Sequence, residues 1–225
     1  MKQKVLNILA VLVLCVLLFN PTTSHALILI EGTGALGAYT GSLSYSFTNA
    51  TTAELEFVLT NTSPASNGGF LTAFVFNNPF SYISDVSLSS TDLDFGLLGA
   101  NLFDNGINGA PYGQFDIGAS TGGGFLGGGN PSLGIGVGAT ETFTFSLTGI
   151  NLNTLTEQLF LEELSVPPGA GEGVESFVAR FRGFEDDGSD KVPLDDTNNV
   201  IPEPSSILLF GFGAIGMALR KKRKV

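Results

Sequence analysis

The sequence predicts a mainly β protein: an antiparallel two-sheet β-sandwich of jelly-roll or immunoglobulin-like type. Three observations predict it: short segments in which apolar and polar residues alternate, turn residues between those segments, and 30 glycines and 19 phenylalanines among 225 residues. Alternation with a period of two is typical of antiparallel strands that have one buried and one solvated face. One short helix is expected on the sandwich, with a signal helix before the domain and a transmembrane helix after it.

The first 26 residues are organised like a secretory signal peptide. Lys2 and Lys4 precede an apolar run, Val5–Phe19. Small residues at Ser24 and Ala26 then favour cleavage after Ala26 by signal peptidase. A retained signal anchor is the alternative interpretation.

Cleavage after Ala26 would change the chemistry available to the mature chain. Cys15 is the only cysteine and His25 the only histidine, and both precede the cleavage site. The mature chain would then have no disulfide, no zinc site built from His and Cys, and no histidine base for a nucleophilic mechanism.

Seven segments carry the strand patterns of the sandwich domain, which is predicted to span residues 27–192. In each alternating segment the apolar residues are predicted to face the core. The nearly continuous apolar segment FLTAFVFNN suits a strand buried on both faces. The seven segments are SLSYSFTN, AELEFVLTN, FLTAFVFNN, YISDVSLSS, YGQFDIGAS, TETFTFSLTG and VESFVARFRGF. The inward residues are Leu43, Tyr45, Phe47, Leu55, Phe57, Leu59, Phe143, Phe145, Leu147, Phe177, Ala179 and Phe181.

Two further segments depart from the strand pattern. In LNTLTEQLFLEELS the leucines recur at spacings of three to five residues, which predicts an amphipathic helix over about 154–164; a further strand is the alternative. The glycine-rich run Thr121–Gly138 lacks the Lys-Ser/Thr that follows a phosphate-binding loop, and predicts a flexible surface loop.

The charge of the domain excludes one class of partner and favours another. Between residues 27 and 201 there are three basic and 20 acidic residues, a formal charge of −17. Such a surface repels phosphate backbones, so nucleic-acid binding is not expected. Asp186, Asp187 and Asp190 are clustered around a glycine and are candidate Ca²⁺ ligands. The alternative is a solvated acidic turn that leads into an acidic linker, 193–200.

The C-terminal 25 residues combine three features in a fixed order. Pro202, Glu203 and Pro204 come first, followed by 15 uncharged residues, Ser205–Leu219. A helix of that length spans about 22 Å, short of the roughly 30 Å hydrocarbon core, and snorkelling basic side chains can extend it. Basic residues after such a helix stay cytoplasmic and act as a membrane stop. They are Arg220, Lys221, Lys222, Arg223 and Lys224.

This order, at the opposite end of the chain from a signal peptide, resembles the PEP-CTERM sorting signal of Gram-negative bacteria, also known as the ice-binding protein C-terminal domain. The resemblance covers residues 201–225. It implies processing by exosortase, a membrane-embedded transpeptidase, near the Pro-Glu-Pro. It also implies transient anchoring in the inner membrane and an association with exopolysaccharide and biofilm, at the cell surface or in the extracellular matrix.

Three functions are consistent with these features. The first is a non-catalytic surface or matrix protein, which needs no cofactor. The second is a Ca²⁺-assisted carbohydrate-binding module, for which the chain offers no tryptophan and four tyrosines: Tyr39, Tyr45, Tyr82 and Tyr112. The third is a glycosidase that uses paired carboxylates. Its candidate residues are Asp92, Asp94, Asp104 and Asp116.

Overall fold

The computed structural model describes residues 27–99, 103–167 and 173–195, and the backbone of 199–201. They belong to one compact unit that runs Ala26–Pro202. The predicted signal helix and the predicted C-terminal transmembrane helix lie outside the described residues. Within the described ranges no helix has the length and apolar character needed to cross a membrane.

The strands pair antiparallel, as the alternating pattern predicts, and form two large sheets and a third, two-stranded sheet that was not predicted. Sheet A has the order β14 (Asn199–Ile201), β1 (Leu27–Thr33), β2 (Ala38–Asn49), β3 (Thr52–Asn61), β11 (Thr140–Gly149), β5 (Ile83–Ser90). Sheet B has the order β13 (Ser189–Pro193), β12 (Phe177–Phe184), β4 (Gly68–Phe76), β9 (Ile117–Ser120), β6 (Gly96–Leu98), and β10 (Ile135–Gly136) also pairs with β4. A small sheet pairs β7 (Ile107–Asn108) with β8 (Gln114–Phe115).

Aromatic rings fill the space between sheets A and B. Phe57 of β3 lies 5.6 Å from Phe74 and 5.0 Å from Phe76 of β4, and 5.5 Å from Phe177 of β12, measured between ring centroids. Phe145 of β11 meets Phe76 edge-on at 5.1 Å. Such tilted and edge-on pairs add to the stabilisation that burial of the rings gives. The two sheets therefore pack face to face through phenylalanine.

Most of the predicted inward faces are confirmed, and Phe47 is wrong. The predicted inward residues of β3, β11 and β12 are all buried, and β4 is buried along nearly its whole length. Phe47 is 44% exposed, because the pairing of β2 with β3 shifts register between Phe47 and Asn49 as the strand leaves the core.

Sheet B is covered on its outer face as well, which the alternation did not predict. Val178 of β12 points away from the central core, yet it is fully buried against Ile107, Phe115 and Phe125. These three residues come from the segment between β6 and β10. That segment folds back over sheet B and forms a second, smaller core.

The predicted helix over 154–164 is shorter and faces differently. The α-helix α1 runs Glu157–Glu162, and a separate 3-10 turn runs Leu152–Thr154. Leu155 is extended, with ψ 154°, and so separates the two. Phe160 and Leu161 are buried on α1, whereas Leu164 is 53% exposed. The leucine spacing therefore identified a helical segment but not its buried face.

The glycine-rich run is not a continuous loop. It contains a 3-10 turn, Pro131–Leu133, and the short strand β10, whose Ile135 is buried. The sheets also extend beyond the predicted domain end at residue 192. β13 ends at Pro193, and β14 pairs with β1 within the segment predicted to be a linker.

Three of the strand pairs are nested in the sequence and alternate between the sheets. The outermost pair, β4 with β12, lies in sheet B; the next, β5 with β11, lies in sheet A; the innermost, β6 with β9, lies in sheet B again. The chain therefore crosses repeatedly between the sheets, and the connections form loops at both ends of the strands.

Candidate functional site

Two of the aspartates predicted to bind Ca²⁺, Asp186 and Asp187, lie in the turn between β12 and β13, and the third, Asp190, lies in β13. Asp186 accepts a hydrogen bond from an N–H of its own turn at 2.9 Å. Asp190 Oδ2 accepts from the N–H groups of Leu36 at 2.7 Å and Gly37 at 3.0 Å. The Asp190 carboxylate thus holds the β1–β2 turn against β13.

Calcium binding at this turn stays a prediction. In the described part of the chain no group of three or more His, Cys, Asp or Glu side chains is arranged to hold a metal ion. If Asp186 and Asp187 bind Ca²⁺, millimolar Ca²⁺ should raise the melting temperature and Mg²⁺ should do so poorly. Asp186→Asn should remove the response. Asp190 is unsuited to this test, because its carboxylate already holds a backbone turn.

A second feature, the aromatic corner, consists of Phe80, Tyr82 and Ile150. The loop 78–83 follows β4 and leads into β5, and it places Phe80 58% exposed at its tip. The ring of Tyr82 lies 5.4 Å from that of Phe80, at an angle of 46°. Ile150 is 59% exposed, and its N–H donates to the Tyr82 carbonyl at 2.9 Å. Together they form an exposed apolar surface at one end of the strands.

The backbone at the tip of this loop is strained. Phe80 has φ 56° and Ser81 has φ 54°, so two consecutive residues other than glycine occupy the left-handed region. Each such residue costs about 1–3 kcal/mol, and such strain is often found at functional sites. The strain persists only where surrounding contacts determine the conformation.

Asn78 supplies those contacts. Its side-chain oxygen accepts from the N–H of Ile83 at 2.9 Å, and its side-chain amide donates to the Ile83 carbonyl at 2.8 Å. The same amide also donates to the Phe103 carbonyl at 3.2 Å. These bonds fasten both ends of the loop. Phe80 therefore lies on a loop that is already ordered, which lowers the entropic cost of binding a partner.

Asp116 holds the backbone of Asn78, at the start of this loop, in place. Its carboxylate accepts from the backbone N–H of Asn78 at 2.8 Å and from that of Asn105. Asp116 is only 8% exposed. Burial raises the pKa of Asp116, and the two N–H donors partly offset that effect.

Tyr82 was among the stacking rings predicted from the sequence, whereas Phe80 and Ile150 were not. Tyr39 and Tyr45, two other candidates, are almost fully buried and cannot contact a ligand. The available signal for Phe80 was the turn-forming Asn78-Pro79 pair directly before it.

The four carboxylates considered for glycosidase chemistry have different surroundings. Asp116 is buried beneath the aromatic corner, and exposed Asp104 is close enough to raise its pKa further. Asp92 accepts the N–H of Asp94 in a local turn after β5. The burial of Asp116 is explained by the two backbone N–H groups that its carboxylate accepts.

The sorting residues predicted from the sequence lie outside the described residues. This applies to Pro202, Glu203 and Pro204 and to the basic cluster 220–224. The chain just before them is described: Ile201 of β14 is in register with Leu27 of β1. The predicted sorting tail, 201–225, therefore begins at the last residue of an edge strand of sheet A.

The family model of the PEP-CTERM protein-sorting motif matches residues 200–224. The tail is a PEP-CTERM sorting motif. This confirms the resemblance drawn from the proline, apolar and basic segments. Comparison with curated proteins and with solved structures gave no match for the chain.

The PEP-CTERM motif implies an exported protein that exosortase sorts at the membrane. This is consistent with a protein of the cell surface. The motif covers residues 200–224 and carries no information about the surfaces of the β domain. Those surfaces must be interpreted from their own geometry.

Proposed function

We propose that this is a non-catalytic surface or matrix protein of a Gram-negative bacterium. In this proposal the PEP-CTERM motif delivers the β domain, and the aromatic corner contacts exopolysaccharide. The observation that carries the delivery is the match to the sorting motif at residues 200–224. The observation that carries the contact is the exposed ring of Phe80 on a strained, fastened loop.

The chemistry of the corner suits the face of a sugar ring. An aromatic ring offers a large, rigid apolar surface at low conformational cost, and the Tyr82 hydroxyl can add a hydrogen bond at its edge. A cluster of exposed apolar groups around Phe80 is the kind of surface that marks a binding site rather than isolated exposure. The hydrogen bonds of Asn78 hold this loop, including strained Phe80 and Ser81, in one conformation.

We also propose that the β domain is a jelly-roll sandwich rather than an immunoglobulin-like one. The nested pairs β4–β12, β5–β11 and β6–β9, which alternate between sheets B and A, favour it. In sandwiches of this kind, loops cluster at the ends of the strands and are free to carry contacts. The aromatic corner is one such loop.

Phe80→Ala tests the polysaccharide contact. Because Phe80 is mostly exposed, the variant should fold normally while its affinity for the purified exopolysaccharide falls by about two- to tenfold, the value of one aromatic contact. Affinity gel electrophoresis measures the change. Leu93→Ala is the matched control, since Leu93 is 92% exposed and lies in the β5–β6 connection.

Equal retardation of Phe80→Ala and the unchanged protein would show that the aromatic corner does not contact polysaccharide. Loss of retardation in Leu93→Ala to the same degree would point to general surface hydrophobicity instead. Either result overturns the contact but leaves delivery by the sorting motif intact.

A further inference from the structure

The only three basic residues between 27 and 201 lie together on one face of sheet B. Arg180 and Arg182 are two residues apart on β12, so both side chains point to the outer face. Lys191 of β13 is directly opposite Arg180 in the strand pairing. Like charges at opposite positions destabilise a sheet, and this cluster occurs in a domain that has 20 carboxylates to distribute.

The two arginines bond to backbone carbonyls instead of carboxylates. Arg180 Nη1 donates to the carbonyls of Phe125 at 2.6 Å and Gly127 at 2.9 Å, and Arg182 Nη1 donates to that of Gly129 at 3.2 Å. Arg180 Nε is buried and has no hydrogen-bond partner in the described part of the chain. The positive charges are therefore held in place without being neutralised by these bonds.

The carboxylate next to Lys191 in the sequence already accepts backbone hydrogen bonds. Asp190 adjoins Lys191, but its carboxylate accepts three backbone N–H groups, those of Leu36, Gly37 and Lys191 itself. Burial, and then the charge of Arg180, lowers the pKa of Lys191, while Asp190 raises it. The cluster is thus a positive site in a domain that is negative elsewhere.

Three glycines of the loop beside the cations add no side chain there. Gly123, Gly124 and Gly128 have room for a Cβ, with no atom within 4 Å of it. None of the three has a positive φ. The fold therefore does not require glycine at these positions. At these three positions the loop therefore presents only backbone.

We propose that Arg182 and Lys191, with Arg180 behind them, bind the carboxylate of an acidic sugar in the polysaccharide. This rests on the polysaccharide contact proposed above and adds that the polymer carries uronates. An arginine fork matches the planar geometry of a carboxylate, and the lysine adds a second charge. The acidic remainder of the domain favours a polymer whose charges are widely spaced over one with a charge on every unit.

The basic site and the aromatic corner are placed along the same strand, β4. Arg180 pairs with Ala73 and Arg182 with Phe70 of β4, and the aromatic corner follows the end of β4 at Phe76. Three to six residues of strand span about 10–20 Å. The segment that buries Val178 lies on the outer face between the two, so the basic site and the corner are expected to contact different parts of a polymer.

The test compares three polymers with the full mature chain. Hyaluronan carries one carboxylate per disaccharide, dextran is neutral, and polyphosphate carries a charge on every unit. The unchanged protein should bind hyaluronan more tightly than the other two, and added salt should weaken that binding. The double variant Arg182→Gln/Lys191→Gln should lose at least about tenfold in hyaluronan affinity, while its dextran affinity stays the same.

Arg182→Lys is the matched control because it keeps the charge and loses only the fork, so its hyaluronan affinity should lie between those of the unchanged protein and Arg182→Gln. Arg182→Gln alone, which leaves Arg180 and its two carbonyl contacts in place, serves if the double variant melts early. Equal hyaluronan affinity in the unchanged and glutamine variants would overturn the site. Tighter binding of polyphosphate than of hyaluronan would overturn the uronate assignment.

Phe80→Ala separates this inference from the proposed function. If it weakens dextran and hyaluronan alike while the glutamine variants weaken hyaluronan only, both sites are supported. If Phe80→Ala changes neither affinity and the glutamine variants still weaken hyaluronan, the basic site stands and the aromatic corner does not.

Discussion

Neighbouring residues on β11 differ in burial, because their side chains lie on opposite faces of the strand. Phe145 is fully buried against Phe57, Phe74 and Phe76, whereas Thr144 lies on the other face. Phe145→Ala should lower the free energy of unfolding by about 3–5 kcal/mol through lost burial and an unfilled cavity. Thr144→Ala should lower it by less than about 1 kcal/mol. Urea unfolding of both variants measures the difference.

Alanine is the better probe because Thr144 is directly opposite Glu56 on β3. An aspartate at 144 would add like-charge repulsion and would blur the comparison. Equal midpoints for the two alanine variants would mean that the buried face of β11 is assigned wrongly.

Asp116 should make stability depend on pH in a definite direction. Because the folded-state pKa of Asp116 is raised, its contribution is fully present below the ordinary aspartate range near 4 and is lost as the pH rises through the raised pKa. Asp116→Asn should remove this component of the pH dependence. It should also lower stability overall, since an amide can accept one N–H through its oxygen where the carboxylate accepts two.

Thermal melts between pH 4 and 7 measure this effect, with exposed Asp94→Asn as the control. An unchanged pH profile in Asp116→Asn would mean that the buried carboxylate does not titrate differently in the folded and unfolded chains.

At the scale of elements, most strands and a helical segment were readable from the sequence, whereas the buried face of the helix and the corner loop were not. Period-two alternation depends on local pattern alone, so it identified the buried faces of β3 and β11. The turn at Phe80 depends on bonds from Asn78 to Ile83 and Phe103, five and 25 residues away. A local pattern carries no such information. The burial of Val178 likewise depends on a distant covering segment.

The short strand β14 gives a prediction at the same scale. A chain ending at Ile201 keeps β14 paired with β1, whereas a chain ending at Asn198 exposes the edge of β1. Each backbone bond contributes about 0.5–1.5 kcal/mol net, so the shorter chain should be less stable by about 1–3 kcal/mol. It should also self-associate more readily, because an open strand edge is a template for pairing. Urea unfolding and light scattering measure the two effects.

Identical stability of the two chains would mean that the pairing of residues 199–201 with β1 does not stabilise the domain. The present comparison needs no other substitution as a control, since the two chains differ by three residues.

At the scale of the whole molecule, delivery and the surfaces of the domain are separable. Deletion of residues 202–225 removes the Pro-Glu-Pro, the apolar segment and the basic cluster while keeping β14. The protein should melt as before and should no longer be retained or processed at the membrane. Cell fractionation and mass spectrometry of the mature protein measure both outcomes. Retention and processing of the shortened chain would contradict sorting by the motif.

The sequence was informative about delivery because the sorting tail is recognised by the order of its own residues. The surfaces of the domain were harder to predict, since the basic site combines residues of β12 and β13 with a loop 53 to 55 residues earlier in the chain. The basic residues were visible as a count of three, but only the pairing of Arg180 with Lys191 places them together.

The register of β14 with β1 also has a mechanical consequence. Force applied to the chain through residue 202 reaches the domain at Ile201, opposite Leu27 at the sheet edge. Because β14 is a three-residue edge strand, its few bonds are loaded one after another and yield at low force. Peeling β14 away lengthens the tether by several ångströms while the phenylalanine core stays closed. A surface protein pulled by flowing water would thus extend at its attachment point before its binding surfaces are strained.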